Sequence, residues 1–176
     1  MTKNLVLTAV FVAVGVVLPA ICHMFGMVGT VILPMHIPVL AAGLLLPLPY
    51  ALAVAVLSPI IGTFATGMPA LFPVLPLMLA ELCGYAFFTC FFKRILLFTG
   101  VKRKATVFLS LILAMFFGRA VLAAACFIMD AAVGTFSGAA YLEKALISGI
   151  PGMVLQLFVI PPLVDALRNK SAIDAR

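Results

Sequence analysis

Two ionisable residues stand inside long apolar runs: Glu81 in VLPLMLAELCGYAFF and Arg119 in LILAMFFGRAVLAAA. A charge near the centre of a bilayer costs about 2.5–3.5 kcal/mol on insertion scales, so such a residue pairs, binds a ligand or moves protons. Glu81 lies seven residues into its run from Val74, about 11 Å at helical rise. Arg119 lies eight residues from Phe127, at the far end of its own run, about 12 Å deep by the same rise. Opposite charges at matching depth on sequence-adjacent antiparallel helices are expected to be neighbours. Three roles stay open for them: an ion pair that holds two helices in register, contact with a polar ligand from the outer face, or proton coupling through Glu81.

Other side chains could join them. His36 sits between Pro34 and Pro38 where a Gly-rich loop meets the next apolar run, and reads as a loop hydrogen-bonder or a ligand contact. Phe64, Met68, Phe72 and Tyr141 fall at the outer ends of apolar runs, where aromatics anchor helices at the interface or wall a pocket for a planar ring. Tyr85, one turn from Glu81, and Gln156, inside the last run, read as helix–helix hydrogen-bonders or ligand contacts. Asp130 and the pair Glu143–Lys144 are expected at the solvent rim. Catalysis has little support: the chain contains no GxSxG, HExxH or phosphate-cradling Walker loop, and no paired carboxylates one turn apart. The expectation is a protein that is not an enzyme, with no cofactor and no metal.

The elements carrying these residues must be membrane helices. The chain has 176 residues, 66% hydrophobic and 9% charged, with a mean hydropathy of +1.35; a soluble domain is about a quarter charged. A span takes about 20 residues, so about five or six fit and no soluble domain does. The apolar runs are 5–22, 37–46, 50–66, 74–92, 105–127 and 142–164, separated by Pro, Gly and basic punctuation. The predicted fold is an all-α integral membrane protein of six transmembrane helices forming one domain over 1–176. Its outer loops are 25–38, 66–73 and 128–141, and a basic loop covers 93–104. The second run is short for a full crossing and could be re-entrant. Lys3 with the first apolar run resembles a signal peptide, but Pro19 and Ile21 do not suit a lipoprotein site at Cys22, so this segment reads as a retained span.

Basic residues in short loops mark the cytoplasmic side. Six crossings put both termini and the 93–104 loop on one side, so nine of the eleven basic residues face the cytoplasm, Arg119 and Lys144 excepted. The charge of +6 therefore reports orientation and points to no nucleic acid. The four cysteines, Cys22, Cys83, Cys90 and Cys126, form no CxxC pair and read as small packing residues. Small residues four apart, such as Ala9–Ala13 and Ser148–Gly152, allow close helix approach.

From Leu5 to Leu167 the chain resembles the substrate-binding S components of energy-coupling factor (ECF) transporters, the vitamin-uptake systems of bacteria. The resemblance rests on AVFVA (Ala9 to Ala13), MHIPVLAAGLLL, TGMPALFPVLPLMLAELCGY and SGIPGMVLQLFVIPPLV, taken in order, and falls in the family's generic vitamin-type branch. It implies a six-helix subunit in the bacterial plasma membrane with cytoplasmic termini. It also implies a vitamin or vitamin precursor bound near the outer face under the loops 25–38 and 66–73. The family's Ala-x-x-x-Ala patch carries over to Ala9 and Ala13, which would dock a transmembrane T subunit and, through it, two ATPases. Signatures of riboflavin, thiamine and biotin binders are not evident; pyridoxine-like compounds, niacin, pantothenate and hydroxymethylpyrimidine stay open. An autonomous proton-coupled carrier using Glu81 is the alternative.

Overall fold

The computed structural model describes residues 2–24, 33–134 and 136–173, and the side chains of these up to 168. Among them every regular element is a helix: α1 (Thr2–Met24), α2 (His36–Leu45), α3 (Leu48–Thr66), α4 (Val74–Phe98), α5 (Arg103–Val133) and α6 (Gly138–Ile173). Five of these, all but α2, are long and apolar enough to cross a membrane. The chain is a multi-pass helical membrane protein.

Punctuation in the sequence sets most helix ends. Pro47 precedes α3, and Gly67 closes it in the left-handed conformation at φ 74°, its N–H bonded to the Thr63 carbonyl. Gly134 ends α5 in the same way at φ 69°; a glycine adopts this conformation without the Cβ clash that other residues suffer. The turn after α3 is stitched to it by side chains, with the Thr63 hydroxyl donating to the Pro69 carbonyl at 2.8 Å. Pro151, Pro161 and Pro162 all lie within α6 without ending it.

Two boundaries differ from the sequence expectation. α4 continues past Phe92 to Phe98 and α5 begins at Arg103, so the basic segment 93–104 is largely helical. α5 runs on to Val133 and α6 starts at Gly138, which shortens the 128–141 loop in the same way.

The helix packing explains the first extension. α2 is the centre of the molecule: eight of its ten residues are buried, from His36 and Pro38 to Leu44, and it touches α1, α3, α4 and α6. Ten residues span about 15 Å, half a hydrocarbon core, so the carbonyls at its C-terminal end need partners within the protein. Lys93 supplies them from α4, its ammonium donating to the carbonyls of Gly43 at 2.8 Å, Leu44 at 3.3 Å and Leu46 at 3.4 Å. The Arg168 guanidinium of α6 adds a bond to the Leu44 carbonyl at 2.9 Å. Cations at a helix C-terminus also complement its dipole. Lys93 is therefore held inside α4 by what it caps.

Around α2 the long helices pack in sequence order, α1 on α3, α3 on α4, α4 on α5 and α5 on α6. Glycines set the close approaches. A Cβ at Gly84 would meet the Val121 side chain at 3.2 Å, and one at Gly118 would overlap the Tyr85 ring. The four cysteines are free, with Cys126 buried.

Candidate functional site

At the end of the molecule opposite Lys93, a cavity of about 450 Å³ opens between α1, the start of α2, the α3–α4 turn, α4, α5 and α6. Helical spacing builds its walls. Val74, Met78 and Glu81 face it from α4, and Tyr141, Lys144, Ala145 and Ser148 from α6, each set following the i, i+3, i+4, i+7 stripe of one helix face. Pro19 and His23 line it from α1, and Gly67 to Ala70 from the turn.

The floor is polar. Glu81 is buried, and two donors and an imidazole nitrogen converge on its Oε1. Arg119 Nη1 lies at 3.0 Å, the Tyr85 hydroxyl donates at 2.9 Å, and His36 Nε2 stands 3.6 Å away. The His36 ring meets the Tyr85 ring edge-on with centroids 5.3 Å apart. The expected neighbourhood of Glu81 and Arg119 is thus direct contact. Tyr85, four residues after Glu81, has its ring accommodated by the missing side chain of Gly118. Arg119 is accommodated the same way: a Cβ at Gly149 would collide with its Nη2.

The cluster is not fully satisfied. Arg119 Nε and Nη2 and both ring nitrogens of His36 are sealed from solvent without a hydrogen-bond partner. A buried unpaired donor costs about 1–3 kcal/mol, more when charged, so such groups call for an explanation in ligand, water or strain. Strain lies close by: Leu33, on the cavity wall, has φ 51°, unusual for a branched side chain.

Of the residues singled out in the sequence, His36, Met68, Glu81, Arg119 and Tyr141 all line the cavity, with Tyr85 directly beneath. Gln156 lies deeper, 1% exposed, and donates from Nε2 to the Leu33 carbonyl at 3.3 Å; it positions the wall. Phe64 and Phe72 do not line the cavity and are 76% and 59% exposed, on the outside of the bundle. Residues 25–32, most of the expected capping loop, lie outside the described residues. His23, Lys144 and Ser148 also line the cavity; the helical stripe through Tyr141 would have found the last two. Ala9 and Ala13 are exposed on α1, away from its buried face of Thr8, Phe11, Gly15 and Pro19. Among the described residues no group of three or more His, Cys, Asp or Glu is gathered to hold a metal.

Fold and site together define a multi-pass helical membrane protein with a buried charged cluster beneath a cavity that could hold a small molecule. No known protein family, curated protein or solved structure matches the chain.

Proposed function

We propose that the protein is the membrane-embedded binding subunit of an uptake system for a small water-soluble vitamin or vitamin precursor, with transport driven by ATPases on partner chains. The observation that carries this reading is the cavity itself: mostly apolar walls over a floor of Glu81, Arg119, Tyr85 and His36. Ligand sites combine these features, with a few convergent polar groups fixing orientation. The resemblance to ECF S components supplies the rest of the reading. In it His36, Met68, Glu81, Arg119 and Tyr141 contact ligand, with Tyr85 and Gln156 holding the floor and wall.

The proposed topology has six crossings in the bacterial plasma membrane, with both termini cytoplasmic and the cavity facing out. The distance between the cavity and the basic end supports it. Val74 lines the cavity, and Lys93 lies 19 residues further along α4 (93 − 74), about 28 Å at helical rise, close to one hydrocarbon thickness. In this topology α2 belongs to the second crossing. Partner docking falls to Ala9 and Ala13, on a face of α1 that leaves Val6, Val10, Val14 and Val17 exposed as well.

Reconstitution tests the reading. Purified chain in liposomes binds a vitamin-class ligand but moves none of it until the T subunit and ATPases are added. Flux by the chain alone, driven by a proton gradient and lost in Glu81→Gln, overturns it in favour of an autonomous carrier.

A further inference from the structure

The unpaired atoms of Arg119 have a specific geometry. Nη1 is committed to Glu81. Nε and Nη2 are the two unpaired atoms, and they form one edge of the planar guanidinium, a pair of parallel N–H donors spaced for the two oxygens of a carboxylate. The side chain is nine-tenths buried and lies between the cavity and an apolar groove of α5 and α6, with Nε and Nη2 themselves sealed from solvent. The Glu81 contact thus fixes the plane of the group while its side-on fork stays unused.

From this we infer that the ligand carries a carboxylate, which docks side-on to Nε and Nη2 of Arg119 while Nη1 stays on Glu81. The inference rests on the binding-subunit reading and narrows its substrate class to organic acids. Of the Asp, Glu, Lys and Arg residues lining the cavity, Arg119 and the exposed Lys144 are cationic and Glu81 is anionic, so an acid meets more cations than carboxylates there. The remaining walls, among them Pro34, Met35, Pro69 and Met78, suit an apolar or ring-shaped body behind the acid.

Two residues control access to the fork. Gly149 leaves the notch that the guanidinium occupies. The Leu33 side chain reaches the same spot, its Cδ1 lying 3.4 Å from where a Gly149 Cβ would stand. The Leu33 side chain is the group an incoming acid pushes aside, while its backbone, at φ 51°, stays held by the bonds its carbonyl accepts from His36 N–H and Gln156.

The test is calorimetry on the full-length chain in lipid nanodiscs with acid–neutral pairs: nicotinate against nicotinamide, and pantothenate against panthenol. At least one acid binds, and its neutral counterpart binds about tenfold or more weakly, the range expected for charge-assisted hydrogen bonds. Arg119→Lys, which keeps the charge and removes the fork, weakens acid binding and narrows that preference. Should this variant fail to fold, the wild-type pairs still decide. Equal or tighter binding of a neutral member, or tight binding of pyridoxine, which has no acid, overturns the carboxylate while leaving the binding-subunit reading intact. Acid binding unchanged in a folded Arg119→Lys variant overturns it too. If no acid or neutral compound binds, both inferences fall.

Discussion

Glu81 shows how one buried carboxylate organises its neighbours. Arg119, Tyr85 and His36 approach the same oxygen from three helices, so removing any one of them exposes the others to an unbalanced site. Arg119→Ala leaves the Glu81 charge buried and unpaired, and should cost about 3–5 kcal/mol of stability in thermal unfolding of the detergent-solubilised chain. Adding Glu81→Leu to it should recover much of that loss, because the orphaned charge goes too; additive losses would mean that the pair is not coupled. Tyr85→Phe keeps the ring beside Gly118 and loses one charge-assisted bond, about 1.5–3 kcal/mol. The pairing of Glu81 with Arg119 was legible in the sequence, because charges in apolar runs need partners and their depths matched. Phe64 and Phe72 were not legible, since an interfacial anchor and a pocket wall carry the same residue types at the same helix ends. Gly118 and Gly149 were invisible for another reason. A glycine gives no sign of what leans over it until the neighbouring helix is in place.

At the scale of elements, the half-length helix α2 joins the two ends of the molecule. Its first residue, His36, touches Glu81, and its last carbonyls rest on Lys93 and Arg168. The sequence showed the short run and its proline punctuation, but it assigned Lys93 to a loop, because a basic residue near a span end looks the same whether it faces water or caps a neighbour. Lys93→Met should therefore do more than remove a surface charge. It removes a donor from three carbonyls, leaving Leu44 with Arg168 and Gly43 and Leu46 with the weaker Cys90 thiol, and amide hydrogen exchange across α2 should accelerate about tenfold or more, equivalent to roughly one to two lost hydrogen bonds. Exchange unchanged from wild type would show that water replaces the ammonium at no cost. Gly149→Ala belongs at this scale as well: a single methyl on α6 pushes Arg119 from its notch, so ligand affinity should fall about as far as in Arg119→Ala, although residue 149 contributes no polar group.

For the whole molecule, the proposed reading assigns the exposed face of α1 the part that would separate a subunit from a self-sufficient carrier. Ala9 and Ala13 stand exposed there beside four valines, and small residues let a partner helix come close. Ala9→Phe and Ala13→Phe should leave ligand affinity unchanged and abolish uptake by the assembled system; uptake surviving both substitutions would remove this face from the docking surface. The helical membrane class was readable from composition, because a bilayer accepts so few architectures; of the six runs read from the sequence's punctuation, five form helices long and apolar enough to cross. The cavity was not, since it arises from six chain segments that no local pattern connects. Native mass spectrometry of the purified full-length chain, released gently from its detergent, tests the central claim most directly. A binding subunit of this kind carries one small organic molecule per chain, which calorimetry then shows to rebind and Arg119→Ala to release. An empty chain that also ignores the vitamin panel would contradict it.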